Sequence, residues 1–412
     1  MANYFSLFRC TQCGKEFEPN GLHYLCDVCS KDYKAGLPLL GVLEALFDYK
    51  GIAKAWQKKP DPLLFSAVDP IFYPPIPVGN TPFFSIKRLN EAVWASATRP
   101  NEPNDESLAS RGGLRPPTPM QVWIKNDALN PSGSYKDRAS QVVVADAVQK
   151  GIAEIVAAST GNAASSLACI AASVGKQVVI FAPESAPAAK LIQIQVHGAK
   201  LNKMKGTYDD SFKAALDYSA THPCLCRNTG YHPFTVDGKK SAGLEIYLQN
   251  GCKVPAWIII PVGDGVILTG IYKAFVDLHR AGITSTLPKL LAVQAESSDA
   301  ITSYWESGTY QDATKPATIA DSISVKTPAL AHWAVQAIKE TKGAAMRVSE
   351  AEILSSQLEL ARYSGVFAEP SSSATLAGLK KAIHCGIITE TQQVVLLITG
   401  HGLKDPAAVQ LA

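Results

Sequence analysis

The chain contains no uninterrupted apolar stretch of membrane-spanning length, which argues against helical insertion into a bilayer. It also lacks a surplus of charge: 39 Lys and Arg stand against 36 Asp and Glu, a formal net charge of +3. No basic stripe with interleaved aromatics occurs, so the patterning does not point to a nucleic-acid partner. Internal repeats are absent, and no charged-then-apolar leader opens the sequence, since Arg9 falls among polar and cysteine residues. What is plentiful is apolar content, 47% of 412 residues, enough to bury large cores in two domains plus an appendage.

Cysteine is patterned at one place only. Cys10-Thr-Gln-Cys13 and Cys26-Asp-Val-Cys29 form two C-x2-C knuckles about a dozen residues apart. Four thiolates on two tight turns give a closed tetrahedral shell, so Cys10, Cys13, Cys26 and Cys29 are predicted to hold a structural Zn2+. Disulfides or a rubredoxin-like iron site are the alternatives. Nearby, Arg9, Lys15, Lys31 and Lys34 are balanced by Glu16, Glu18, Asp27 and Asp32, which favours a packing or subunit-contact role over nucleic-acid binding. Cys169, Cys224, Cys226, Cys252 and Cys385 follow no ligand spacing, and Cys224-Leu-Cys226 suits a core strand. Free thiols beside a zinc-type cluster predict a reducing, cytoplasmic setting.

Residues 1–35 read as the metal module and 37–56 as a helical connector. A Pro-rich stretch, 60–82, follows. Residues 95–120, rich in Pro, Asn, Ser, Gly and charge, read as a flexible surface insertion. From Gln121 onwards strands and helices alternate. Short apolar runs at 122–125, 154–158, 177–182, 199–204, 257–261, 290–295 and 394–399 are strand signals, with helical periodicities between most of them. That alternation predicts an α/β protein of parallel sheets covered by helices.

The chemistry concentrates in the turns that end those strands. Asn130-Pro-Ser-Gly-Ser-Tyr-Lys136-Asp places one lysine in a small-residue turn between strand and helix. There the helix dipole and burial both disfavour an ammonium, and a lysine of lowered pKa is what an imine-forming site requires. Ser159-Thr-Gly-Asn162 opens an Ala-rich helix, so Ser159, Thr160 and Gly161 present successive backbone N–H groups as a carboxylate cradle. Pro261-Val-Gly263-Asp264-Gly265-Val266-Ile267 follows a buried-type strand. Its glycines let backbone approach a phosphate, and the next helix adds its N-terminal amides. The run from Val394 ends in Thr399-Gly-His-Gly-Leu-Lys404, a hydroxyl followed by a glycine-flanked turn. Lys239, Lys240 and Ser241 offer cations and a hydroxyl suited to a dianion.

These strings, in this order, resemble the motifs of the pyridoxal phosphate enzymes of the threonine synthase and tryptophan synthase β-subunit type, fold type II. The resemblance covers nearly the whole chain. It implies two parallel-sheet, three-layer domains, a large one from residues 36–139 and 241–412 and a small mobile one from 140–240, with the cofactor between them. By resemblance, pyridoxal 5'-phosphate is attached to Lys136 and contacted by Asn162. Its phosphate is held by Gly263, Asp264, Gly265, Val266 and Ile267, and its pyridine nitrogen meets Thr399. Ser159, Thr160, Gly161 and Asn162 would bind the substrate carboxylate, and Lys239, Lys240 and Ser241 the substrate phosphate. Two positions depart from the pattern: His232 stands where asparagine is common, and Thr235 where many members carry arginine. Ala368-Glu369-Pro-Ser-Ser-Ser373 is similar to the family's Glu-Pro-x-x-Ala segment near the cofactor ring. The implied reaction is γ-elimination of phosphate from O-phospho-L-homoserine followed by addition of water, giving L-threonine, in a cytoplasmic homodimer. Cysteate synthesis from phosphoserine and sulfite is one alternative. Threonine or serine dehydration is another, although it needs no phosphate site and Lys239 and Lys240 argue against it.

Overall fold

A computed structural model describes residues 4–34, 36–98, 120–184, 186, 188–206, 208–389 and 392–409. Strands β1 (Phe5–Cys10), β2 (Glu16–Phe17) and β3 (Leu43–Phe47) form a small antiparallel sheet in the order β2-β1-β3. The segment 37–56, expected to be a helical connector, is therefore corrected: Leu43–Phe47 is a strand whose residues are nearly all buried, paired with β1 through Phe8↔Ala45 and Cys10↔Leu43. Helix begins only at Tyr49, where the Asp48 carboxylate accepts from Gly51 N, and it runs to Lys58.

Two larger sheets follow, introduced by β4 (Phe83–Ser85) and β5 (Gln121–Asn126). Strands β6 (Glu154–Ala158), β7 (Gln177–Pro183), β8 (Lys200–Met204) and β9 (Cys224–Cys226) make a four-stranded parallel sheet in the order β8-β7-β6-β9. Strands β10 (Trp257–Pro261), β11 (Lys289–Ala295), β12 (Ala344–Val348) and β13 (Gln393–Ile398) join the earlier pair in a six-stranded sheet, β12-β11-β10-β13-β5-β4. It is parallel except for the edge strand β4. All five residues of β10 are buried, as expected of a strand with helices on both faces. The protein is thus α/β with parallel sheets, as its sequence predicts. No described helix is long and apolar enough to cross a membrane.

The order of strands decides where the chemistry falls. In open α/β sheets, ligands gather outside the carboxyl ends of the strands, where the winding reverses. Here β13 lies between β10 and β5, so the turns that leave these three strands are neighbours. Those turns carry Thr399, Gly263–Gly265 and Lys136. Of the expected insertion 95–120, residues up to Thr98 belong to the helix Lys87–Thr98 and Met120 is buried, while 99–119 lie outside the described residues.

Candidate active site

Lys136 is the first residue of the helix Lys136–Gln149, as its turn predicted. The turn is stitched to the one after β13: Tyr135 N donates to Thr399 O at 2.8 Å, and His401 N to Gly133 O at 3.0 Å. Gly133 has φ +76°, a left-handed backbone that glycine adopts without strain. Behind Lys136 the Arg138 guanidinium is completely enclosed. It binds Asp127, both oxygens of Glu245 at 2.7 and 2.8 Å, and Ser241 Oγ at 2.9 Å. The helix that carries the lysine is thereby anchored at its first turn.

Lys136 lines an open-sided cavity together with Asn162, Gly263, Asp264, Gly265, Ile267 and Thr399. Gly263 could not be replaced without backbone movement, because a Cβ there would lie 2.9 Å from Ile323 Cα. Gly265, at φ +83°, is the residue before the helix Val266–Arg280, whose first amide is capped by Asp264 Oδ1 at 2.9 Å. Thr399 Oγ1 lies 3.0 Å from Ser372 Oγ, which also accepts from Thr399 N and Gly400 N at 2.9 Å each. A second chamber adjoins, lined by Thr160, Gly161, Asn162, Gln193 and Lys404, and Glu369 and Ser322 belong to both. Gly161 precedes the helix Asn162–Ala172, and its N–H donates to Ser159 Oγ at 3.2 Å.

Glu369 and Ser372 fall in the Ala368–Ser373 stretch read from the sequence as a segment near the cofactor ring, without a role of their own, and Ser322 was not singled out. The Asn162 amide donates to Glu369 Oε2 at 3.0 Å and to Ser322 Oγ at 3.1 Å, so the carboxylate orients the asparagine. Burial pushes the Glu369 carboxyl up, against the pull of Asn162, Lys136 and Lys404. The only available sequence signal was the Glu-Pro pair, which starts the helix Pro370–His384 with proline in its first turn.

The three residues expected to hold a substrate phosphate are separated by the structure. Lys240 Nζ is engaged by Asp237 at 2.5 Å and Asp277 at 3.1 Å, over the Phe47 ring. Ser241 Oγ donates to Gly238 O and accepts from Arg138. None of the three, Lys239 included, is among the residues lining the two cavities. Lys239 differs: its side chain is 0% exposed and its Nζ has no hydrogen-bond partner. Burial holds that ammonium well below the usual lysine range; Asp264 opposes the shift, and Lys136 and Arg227 reinforce it. Thr235 is spent locally, donating to His232 O at 2.7 Å and accepting from Gly230 N.

At the N-terminus the four Sγ atoms of Cys10, Cys13, Cys26 and Cys29 all lie within 4.8 Å of one another. Cys10–Cys29 and Cys13–Cys26 are 3.8 and 3.7 Å apart. A tetrahedron with bonds of about 2.3 Å has edges of about 3.8 Å, so the spacing and the all-thiol donor set fit zinc.

A lysine at a helix N-terminus, a glycine turn before another helix and a strand-end threonine thus line one cavity. The pyridoxal-phosphate dependent enzyme family matches residues 110–400, and the chain belongs to it. A threonine synthase of Methanosarcina acetivorans is 32% identical, covering 97% of this chain and 93% of that protein. One of Methanocaldococcus jannaschii is 31% identical, covering 98% and 94%. One of Mycobacterium tuberculosis is 34% identical, covering 73% and 81%. Within the class, the chain belongs to the threonine synthase family. Among solved structures, threonine deaminase isoform 2 of Solanum lycopersicum superposes with a TM-score of 0.66 at 16% identity, covering 93% of this chain and 98% of that one. Maize serine racemase gives 0.62 at 18%, covering 86% and 93%. These two share the fold.

Proposed function

We propose that this protein converts O-phospho-L-homoserine and water into L-threonine and phosphate. The observation that carries the reading is the cavity in which Lys136, the Gly263–Gly265 turn and Thr399 converge, in a member of the threonine synthase family. The residues fit pyridoxal 5'-phosphate: the glycine turn leaves no room for side chains, and Lys239 is a buried cation without a hydrogen-bond partner. Gly263, Asp264, Gly265, Val266 and Ile267 would hold the cofactor phosphate, Thr399 and Asn162 would orient the ring, and Lys136 would carry the covalent link. When bound, the cofactor supplies an electron sink for charge developing at the substrate α-carbon.

Displaced from the covalent link by the substrate amine, Lys136 Nζ takes the α-proton and then a β-proton, so that the γ-phosphate can leave. A proton is delivered to the γ-carbon, water adds at the β-carbon, and the lysine returns a proton to the α-carbon. Ser159, Thr160 and Gly161 bind the substrate carboxylate through their backbone amides. Glu369 keeps the Asn162 amide in place while these groups exchange protons. Residues 140–240, which carry the sheet of β6 to β9, act as the small domain, and its closure over the second chamber excludes bulk water. Cys10, Cys13, Cys26 and Cys29 hold a structural Zn2+, and the enzyme works as a cytoplasmic homodimer.

The test is phosphate release by purified protein offered O-phosphohomoserine, or O-phosphoserine with sulfite. Threonine formed from the first supports the reading; turnover of the second pair alone would replace it with cysteate synthesis. Borohydride reduction followed by peptide mass analysis should place the cofactor on Lys136, and Lys136→Ala should abolish both the adduct and turnover.

A further inference from the structure

We propose that Tyr24 of the cysteine module is a positioning residue for the turn Ser159–Asn162, so that the module sets how tightly the site takes a substrate carboxylate. The proposal rests on the reading above, which gives that turn the carboxylate. Tyr24 lies two residues before Cys26, in the stretch between the two knuckles. The module holds its base: Leu25 bridges to Val42, and Cys26 N donates to Gly41 O at 2.7 Å. Residues 41–42 run into β3, whose Glu44 pairs with Arg280 on the helix that starts at the Gly263–Gly265 turn. The tyrosine ring itself packs on the other sheet, against the buried core that includes Val156, Ala158 and Cys226.

From the ring a short chain of contacts leads to the turn. β9 is an edge strand, and its Cys226 N–H donates to Tyr24 Oη at 2.8 Å, which occupies a donor on the open side of the sheet. The ring stacks on Tyr231 with centroids 4.7 Å apart and meets His232 edge-on at 5.5 Å. Tyr231 N and His232 N both donate to Asn228 O, at 3.1 and 3.2 Å. Asn228 is fully buried, and its Oδ1 accepts from Ala158 N at 2.8 Å. Ala158 ends β6 and is the residue before Ser159. One buried asparagine therefore carries the position of Tyr231 and His232 to the start of the carboxylate turn. His232, where asparagine is common, forms one wall of the seat of Tyr24; an asparagine there would present no ring to it.

The test uses three variants of the full chain: Tyr24→Phe, which keeps the ring and removes the acceptor, Tyr24→Ala, and His23→Ala. His23 packs on Phe8 and Phe17 inside the module and serves as the control. Amide hydrogen exchange is read by mass spectrometry on the protein as purified, without substrate, and KM and kcat are measured for O-phosphohomoserine. In Tyr24→Phe the peptide carrying Ala158–Asn162 should exchange about 5- to 10-fold faster, the value of one hydrogen bond, and the Gly263–Gly265 peptide should not change. Tyr24→Ala should show a larger effect. KM should rise by about the same factor with kcat within about twofold, because a displaced carboxylate turn weakens ground-state and transition-state binding alike. Zinc content should stay at the wild-type level, and His23→Ala should behave as wild type in both readouts. Faster exchange confined to residues 224–227 would overturn the proposal. So would an equal effect in His23→Ala, which would make Tyr24 one of several groups that merely hold the module together. The exchange readout needs no turnover. A wild-type protein inactive on O-phosphohomoserine therefore sinks the substrate reading alone, while the exchange result still decides whether Tyr24 acts on the turn.

Discussion

Glu369 stands where the two chambers meet, and its carboxyl is held above the usual range by burial. An acid with a raised folded-state pKa contributes stability below its unfolded pKa and loses it as the pH rises towards the folded value. At neutral pH the residue therefore costs the cofactor-free protein stability in exchange for orienting Asn162. Glu369→Gln should raise the stability of the cofactor-free chain at pH 7 by about 1 kcal/mol, read by thermal unfolding. Its turnover should fall by about tenfold or more in a phosphate-release assay, because a neutral amide orients Asn162 less firmly. Lys136, Asn162, Gly263 to Gly265 and Thr399 were legible in the sequence because turn residues at strand ends announce themselves locally. The segment of Glu369 and Ser372 was legible by resemblance only, without the roles of its side chains, and Ser322 reaches the site through packing alone. Nor was it legible that Asp237 and Asp277 engage Lys240 while Lys239 Nζ has no hydrogen-bond partner: successive helical residues point about 100° apart.

Helices and strands show the same division between local and distant information. Most parallel strands from β5 onward were readable as short apolar runs, but β12, interrupted by Arg347, was not, and β2, β4 and β9 span two or three residues and are too short to carry a period. Leu43–Phe47 consists of good helix formers, and pairing with β1 overrides that preference. The element most dependent on distant partners is the lysine helix, whose first turn is fixed by Arg138 between Asp127 and Glu245. Arg138→Ala would leave the buried Asp127 carboxylate without a cation and Glu245 with Lys125 alone, at a cost of about 3–5 kcal/mol in urea unfolding. Burial opposes ionisation of Glu245, but Arg138 and Lys125 outweigh it and bring the carboxyl down to about 2. A depressed acid contributes stability above its unfolded pKa, here the ordinary glutamate value of 4.5, and loses it as the pH falls towards about 2. Wild-type stability should therefore drop across that interval, and the drop should be smaller in Glu245→Gln.

Across the molecule, the cysteine module is bound to the active-site machinery by charge. Glu44 on β3 pairs with Arg9 at 2.7 Å and with Arg280 at 2.9 Å, and Lys273 lies 3.9 Å away. Arg280 and Lys273 belong to the helix that starts at the phosphate turn. Removing zinc with a chelator, or substituting Cys29→Ser, should lower the melting temperature of the whole chain as well as the zinc content, expected at one ion per chain by atomic emission. Retention of full thermal stability after complete removal of the metal would show the module to be dispensable. The position of β13 has a consequence for biogenesis. It is the last of the described strands in sequence, yet it fills the middle of the large sheet and delivers Thr399 between the lysine turn and the phosphate turn. Until a ribosome has released that strand, β5 and β10 have a gap between them and two exposed edges. A nascent chain must keep those edges from foreign partners through most of its synthesis, so catalytic competence arrives in one late insertion rather than by gradual assembly.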